Sequence, residues 1–332
     1  MKALVIHRYG GPDVMKVEDR PAPAVGDRDV LIDVRAASLN PVDFKLREGK
    51  VKLITDPPRP IGLGCDVAGV VAATGKDVTR VRAGDEVFAR LEKSRMGGLA
   101  EQVAAHEDVV AIKPRGLSFA EASSIPLAGL TALQALRDVA GVKPGQRVLI
   151  HAGAGGVGSL AIQIARRLGA HVLATGSTGN LELIKSLGAH EAVDYTVAGA
   201  VEAVRELDVV LDTLGGDSEK RSLAQVRRGG VVVGVAGMPD LPFARTSLPG
   251  WVRPVIWLIT AGRRRAARKA GAEFRYLFMR PDGSQLAELG AWIDDGTLKP
   301  LIHRTYPLTE VGEAFAELER GRARGKIVVT IP

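Results

Sequence analysis

The chain has 332 residues, 46% hydrophobic and 25% charged, with a formal net charge of +7 and one cysteine, Cys65. That length exceeds one ordinary core and predicts two domains, and the composition is that of a globular protein. One cysteine excludes an internal disulfide framework and a cysteine-based zinc cluster, and aromatic residues at 4% without basic residues interleaved argue against a nucleic-acid platform. The amino end, MKALVIHRYGG, lacks the apolar core of a signal peptide, and no window offers a long uncharged apolar span, so a cytoplasmic location is expected.

Met1–His7 and Asp29–Ala36 read as strands, the second by its alternation of apolar and polar residues. Gly64–Ala73, Gly84–Ala89 and Leu99–Val103 are further short strands with turn residues between them. Short strands, glycine turns and few helices predict a small β-rich, barrel-like domain. Glu121–Val139 is largely helical and is expected to bridge the two domains.

Arg147–Ala152 is a short apolar run between Pro144-Gly145 and Gly153, the pattern of a buried parallel strand. Ser159–Leu168 is apolar at helical spacing, and Gly169 supplies a left-handed stop. Between them Gly153-Ala154-Gly155-Gly156-Val157-Gly158 forms a GxGxxG turn where a dinucleotide fingerprint requires one. Gly153 is expected to permit the tight turn, Gly155 to admit a pyrophosphate, and Gly158 to let helix and strand pack closely. The N–H groups of the helix start, from Gly156 and Val157 onward, favour phosphates. Glycine-rich turns also join elements that bind nothing; the added weight here is a second strand, Ala170–Thr175, and a second helix, Asn180–Leu187. The missing GK[ST] disfavours a mononucleotide P-loop.

The second strand is expected to end at the adenosine ribose, where a carboxylate holds the hydroxyls of NAD and a small or polar site admits the phosphate of NADP. Gly176-Ser177-Thr178-Gly179-Asn180 has no carboxylate before Glu182, which favours NADP. Ser177, Thr178 and Asn180 are expected to donate to the phosphate, and Tyr195, after a third strand at Ala192–Asp194, to cover the adenosine. The same polar residues also suit an ordinary turn and helix cap.

Asp208–Asp212 and Gly230–Val235 are a fourth and a fifth strand, both ending on small residues. Trp251–Ile259 is apolar and precedes Arg263, Arg264, Arg265, Arg268 and Lys269. This block reads as an interfacial helix that rests on a membrane or lines a mouth for an anionic cofactor or substrate, or else as a solvated face beside a packed apolar segment, and the last is expected. Glu273–Met279 is a sixth strand, Ser284–Asp294 and Leu308–Arg320 are helices, and Lys326–Ile331 is a final strand that returns the tail to the first domain. The expected domains are 1–120 with 298–332, and 121–297.

Asn40-Pro41-Val42-Asp43-Phe44-Lys45, Gly97-Gly98-Leu99-Ala100-Glu101, Pro126-Leu127-Ala128-Gly129-Leu130-Thr131-Ala132, the GAGGVG turn and Gly325-Lys326-Ile327-Val328 together resemble the medium-chain dehydrogenase/reductase superfamily. The resemblance is to its zinc-independent quinone oxidoreductase branch, nearest the enone oxidoreductase and reticulon-4-interacting-protein-like groups, and is weakest over Leu241–Arg268. It implies an α/β fold: a Rossmann doubly wound parallel sheet plus a β-rich GroES-like barrel formed by both chain ends. It further implies NADPH as hydride donor, with NADH less favoured, and a quinone or α,β-unsaturated carbonyl as substrate in a cleft between the domains. A homodimer formed at the edge of the sixth strand is also implied.

Zinc-dependent alcohol dehydrogenases place ligands where this chain has Asn40 and Cys65-Asp66, so no zinc is expected. Without a metal, a donor near the carbonyl oxygen becomes the main requirement. Lys45 is the catalytic candidate, a surface lysine being its alternative; Asn40 would orient the nicotinamide or the substrate oxygen, a turn residue being its own. The resemblance places Thr131 at the nicotinamide ribose and Lys326 near the cofactor, while His151 reads as packed. The competing functions are an enoyl-thioester or alcohol-type reductase on the same scaffold, and a cofactor-sensing protein that binds a membrane or partner through the basic block. No nucleic-acid partner is expected.

Overall fold

The computed structural model describes residues 1–332. Its first strands are β1 (Lys2–Ile6), β2 (Met15–Asp19) and β3 (Asp29–Ser38), followed by helix α1 (Pro41–Arg47). Strands β4 (Ile61–Gly62), β5 (Asp66–Thr74), β6 (Glu86–Arg90), β7 (Gln102–His106) and β8 (Val110–Ile112) follow, then helices α2 (Phe119–Ser123) and α3 (Pro126–Leu133). The alternation in β3 turns Val30, Ile32, Val34 and Ala36 into the core. Its pairing with β5 shifts register between Leu31 and Ile32 and between Val34 and Ala36. Such bulges bend a strand and let one sheet curl on itself. Close pairing also needs Gly69, where a Cβ would lie 2.1 Å from the carbonyl oxygen of Asp33.

After a π-helical turn at Gln134–Val139, β and α elements alternate: β9 (Arg147–Ile150), α4 (Gly156–Arg167), β10 (His171–Gly176), α5 (Leu181–Ser186), β11 (Glu191–Asp194), α6 (Ala200–Ala203), β12 (Leu207–Asp212), α7 (Asp217–Gln225) and β13 (Val226–Gly234). Three short helices, α8 (Leu241–Ser247), α9 (Val252–Ile259) and α10 (Ala261–Ala270), lead to β14 (Glu273–Tyr276). The six strands form one sheet in the order β11-β10-β9-β12-β13-β14, every pair parallel. With β9 counted as the first, this is the 3-2-1-4-5-6 order of a doubly wound dinucleotide fold. Leu149, Leu173, Leu207, Val210, Leu223 and Val232 are buried together in its core.

Helix α11 (Gly283–Asp294), β15 (Ile302–Pro307), helix α12 (Val311–Glu319) and β16 (Lys326–Thr330) complete the chain. The larger barrel sheet runs β15-β16-β3-β5-β6-β8, with β7 paired to β3. Both chain ends therefore build one unit, as expected. Arg47 on α1, fully buried, holds Glu319 of α12 at 2.7 Å and fixes this closure from the side-chain level.

The two units are Met1–Leu130 with Arg280–Pro332, and Thr131–Met279, rather than the expected division at 120/121 and 297/298. The amino-side boundary falls within α3. The carboxyl-side shift follows from α11, whose Gly283 packs so near β8 that a Cβ would lie 2.5 Å from the carbonyl oxygen of Val110. A second difference concerns Trp251–Ile259, which is not a packed segment. Only Val252 and Ile256 of α9 enter a core, a small one shared with Ala244. No helix is long and apolar enough to cross a membrane.

Candidate active site

In the nucleotide unit the glycine turn lies between β9 and α4, as its spacing requires. The left-handed residue of the turn is Ala152 (φ 51°), not Gly153. Gly153 serves packing instead: a Cβ there would meet the Cβ of Ala174 at 2.9 Å, so the glycine lets the turn settle on β10. Gly158 matches its expected role, since a Cβ would stand 2.1 Å from the carbonyl oxygen of Ala152 and push α4 off the strand. Gly155 caps α4 in an extended conformation (φ −82°, ψ 175°), and the nearest atom to a Cβ there is the Ala152 oxygen at 3.3 Å. The first amides of a helix have no intrahelical acceptor, so Gly156, Val157 and Gly158 present donors at the positive end of the dipole. This is a cradle that fits the pyrophosphate of a dinucleotide.

Ser177, Thr178, Asn180 and Tyr195 gather at the carboxyl ends of β10 and β11. Asn180 Nδ2 donates to Ser177 Oγ at 3.0 Å, and the Tyr195 amide donates to the Gly176 carbonyl at 3.0 Å. The Tyr195 side chain is exposed. Asp194 adds what a reading of β10 alone misses. Parallel pairing sets it opposite Gly176, and its Oδ2 accepts the Thr178 hydroxyl at 2.6 Å. Hydrogen bonds from Thr178 and then Thr196 hold its carboxyl below the usual range, so the charge persists at neutral pH. Thr178 thus spends its hydroxyl proton on a carboxylate, and no cationic side chain is among these residues.

His151, at the end of β9, is buried between Thr175 Oγ1 (3.3 Å) and Ser222 Oγ (3.1 Å), and Ser222 donates on to Asp212. Burial lowers its pKa and keeps the ring neutral. It ties β9 and β10 to α7, a packed role as expected. Thr131 is buried near the carboxyl end of α3.

The barrel unit brings Asn40, Asp43, Cys65, Asp66 and Lys326 into one buried cluster. Lys326 Nζ, on β16, donates to the Leu39 carbonyl at 2.7 Å and to Asn40 Oδ1 at 2.5 Å, and lies 3.6 Å from Asp66 Oδ2. Asn40 Nδ2 donates to the same Asp66 oxygen at 2.8 Å and faces Cys65 Sγ at 3.6 Å. Asp66 also accepts Ser38 Oγ at 3.2 Å and the Leu127 amide at 2.9 Å. Asp43, at the third position of α1, accepts the Asn40 amide at 2.7 Å, the return contact of a helix capping box. The Asn40 side chain faces the Asp43 backbone to complete the box, while its Oδ1 also accepts from Lys326.

Burial pushes the Asp43 carboxyl up to about 7, against the opposing hydrogen bond from Asn40. It also raises Asp66, with Lys326 pulling the other way, and raises Cys65 well above an ordinary thiol. Lys45 is half-buried on α1 and joins no ion pair with this cluster. Asp43 and Lys326 were legible only in part: the three-residue spacing from Asn40 marks a cap, but nothing local marks burial.

The donor set does not fit a catalytic zinc. Such a site needs three ligands and an open position, whereas here Asp43 caps α1 and a protonated thiol and the Asp66 carboxylate face an ammonium group that already supplies the positive charge. No group of three or more His, Cys, Asp or Glu side chains is placed to hold a metal ion.

A dinucleotide sheet with the glycine cradle at its first strand, joined to a barrel closed by both chain ends, defines the two-unit class of nucleotide-dependent dehydrogenases. The alcohol dehydrogenase GroES-like domain family matches residues 26–117, and the zinc-binding dehydrogenase family matches residues 187–329. The 2-methylene-furan-3-one reductase of Solanum lycopersicum is 39% identical, over 99% of this chain and 79% of its own length. The NADPH-dependent alkenal/one oxidoreductase, chloroplastic, of Arabidopsis thaliana is 37% identical over the same shares. The quinone oxidoreductase structure from Coxiella burnetii superposes with a TM-score of 0.85 at 35% identity, covering 100% of this chain and 99% of that one. The chain belongs to the medium-chain dehydrogenase/reductase family, in its quinone oxidoreductase-like branch.

Proposed function

We propose that this protein reduces quinones or α,β-unsaturated carbonyl compounds by metal-free hydride transfer from NADPH. The reading is carried by one observation: where a metal-dependent relative needs an open cation, the ammonium of Lys326 is already bonded to Asn40 beside Asp66. The bound dinucleotide supplies the hydride. A conjugated acceptor takes it at carbon while charge develops on its oxygen, so what the protein must provide is a hydrogen-bond donor for that oxygen.

In this reading Gly153, Gly155, Gly156, Val157 and Gly158 form the pyrophosphate cradle, and Thr131 meets the nicotinamide ribose. Lys45 stabilises the developing oxyanion, and Asn40 orients the reacting groups. Lys326 is a positioning residue that acts through Asn40, since two of its donors go to Leu39 and Asn40 and its charge is paired with Asp66. Ser177, Thr178, Asn180 and Tyr195 receive the adenosine end. Their neutral donors favour NADPH, as the name of the Arabidopsis relative also does, but Asp194 opposes a phosphate and keeps the preference over NADH modest. We place the enzyme in the cytoplasm, with its homodimer formed through the exposed edge of β14.

The test is a screen of NADPH and NADH oxidation against quinones, enones and acyl-CoA esters, with Lys45→Ala alongside. Turnover of quinones or enones, faster with NADPH and slowed by Lys45→Ala, is expected. Turnover of acyl-CoA esters alone, or no calorimetric uptake of either dinucleotide, overturns the reading. Unchanged turnover in Lys45→Ala retires that residue's role, and light scattering that finds only monomer removes the dimer.

A further inference from the structure

From residue 241 to residue 272 the chain has seven Arg and Lys residues and no Asp or Glu. The whole chain has 45 basic and 38 acidic residues, so outside this segment the two signs balance. All of the net charge is therefore concentrated on α8, α9 and α10. One of the seven, Arg263, points inward: its guanidinium holds Glu219 at 2.7 Å and stacks 3.8 Å from the Phe274 ring centroid. Arg253, Arg265, Arg268 and Lys269 remain exposed, and no carboxylate pairs with any of them.

The same segment exposes apolar surface that a packed helix would hide. Trp251 is 69% exposed, Leu258 69%, Ile259 57% and Val255 48%. At about 100° per residue these four fall within roughly 100° of one face of α9. The buried Val252 and Ile256 adjoin that face on its Ile259 side. Trp257 is also exposed, with the guanidinium of Arg264 over its ring at 5.0 Å. A helix with a full apolar stripe, tryptophans at its margins and a basic helix directly after it has the make-up of an in-plane interfacial segment.

We propose that α9 and α10 dock this protein on an anionic lipid bilayer, with the Trp251–Val255–Leu258–Ile259 stripe in the headgroup boundary and Arg265, Arg268 and Lys269 against lipid phosphates. Charge complementarity selects this occupant. A second copy of the chain would bring the same uncompensated cations against these, whereas an anionic leaflet offers both apolar depth and negative charge. The proposal is independent of which acceptor is reduced.

The test is co-sedimentation of the full chain with vesicles of phosphatidylcholine alone and of phosphatidylcholine mixed with phosphatidylglycerol. Binding to the anionic vesicles alone is expected, weakened by salt as the Debye length contracts to about 3 Å at 1 M. Arg265→Gln with Arg268→Gln should lower partitioning roughly thirtyfold, at about a factor of five per basic residue. Trp251→Gln with Leu258→Gln should abolish it, while NADPH oxidation with a water-soluble quinone stays unchanged in both variants. As a readout that needs no variant, brominated lipid should quench the fluorescence of Trp251 and Trp257. No sedimentation with anionic vesicles, equal binding to neutral ones, or conversion of a dimer to monomer by Trp251→Gln with Leu258→Gln each overturns the proposal. The last result would make the stripe a subunit interface.

Discussion

The ammonium of Lys326 and the side-chain oxygen of Asn40 are 2.5 Å apart, joined across 286 residues of sequence. This contact fixes which end of the Asn40 amide points to Asp66, because the oxygen is held by a cation and only the NH2 group remains for the carboxylate. Replacing Lys326 with Met leaves Asp66 buried without its counter-charge, and loss of one partner of a buried pair costs about 3–5 kcal/mol. Denaturant unfolding should read that loss. If Lys326 acts through Asn40, kcat should fall with little change in the KM for NADPH. A raised KM at constant kcat would instead place the lysine on the cofactor.

Asp43 sets a pH dependence of the opposite sign to that of a carboxylate such as Asp29, which Arg95 holds below its ordinary value. The folded pKa of Asp43, about 7, is raised above the unfolded value by burial. Between the ordinary value and about 7 the native state binds more protons than the unfolded chain, so stability falls as pH rises, with a slope of up to about 1.4 kcal/mol per pH unit. Asp43→Asn keeps an acceptor for the Asn40 amide and removes the titration. Thermal melts from pH 5 to 8 should therefore flatten in this variant; an unaltered profile would assign the slope to another group.

Two glycines in the cradle should separate folding from binding. Gly158→Ala drives a Cβ to 2.1 Å from a backbone oxygen and should destabilise by about 3 kcal/mol or more. Gly155→Ala meets the same oxygen at 3.3 Å and should fold nearly normally. Its methyl group stands where a pyrophosphate approaches, so fluorescence titration with NADPH should show weaker binding without a matching drop in melting temperature.

Asp194 and Asn180 together should tune cofactor choice. Asp194→Asn removes the carboxylate that holds Thr178, freeing its hydroxyl for a phosphate, and should raise the ratio of kcat/KM for NADPH over NADH several-fold. Asn180→Lys should raise it further by adding the cation the loop lacks. A ratio unmoved by both substitutions would take the phosphate away from this loop.

Arg263 differs from its basic neighbours by facing Glu219 inside the fold, where both side chains are almost fully covered (6% and 5% exposed). Arg263→Met should cost about 3 kcal/mol by stranding a buried carboxylate, whereas Arg268→Gln should leave the melting temperature within about 0.5 kcal/mol of the parent in stability. Parallel melts of the two variants decide the contrast.

The strand, glycine turn and helix at 147–167, the repeat of that unit and the strand-rich ends were all readable from the amino-acid order alone. Their signals are local: periodicity, a spacing of glycines and the residues that stop a helix lie within a few turns of one another. Only the tertiary structure decided that Lys326 takes the oxygen of Asn40, that Asp194 stands against Thr178, that Ala152 rather than Gly153 carries the left-handed turn, and that α11 lies on β8. Those outcomes depend on sheet register and on burial, which bring residues from remote positions to hydrogen-bond distance and remove them from water. Composition along the chain records neither, so the apolar run at 251–259 read as core until the fold left its outer stripe uncovered.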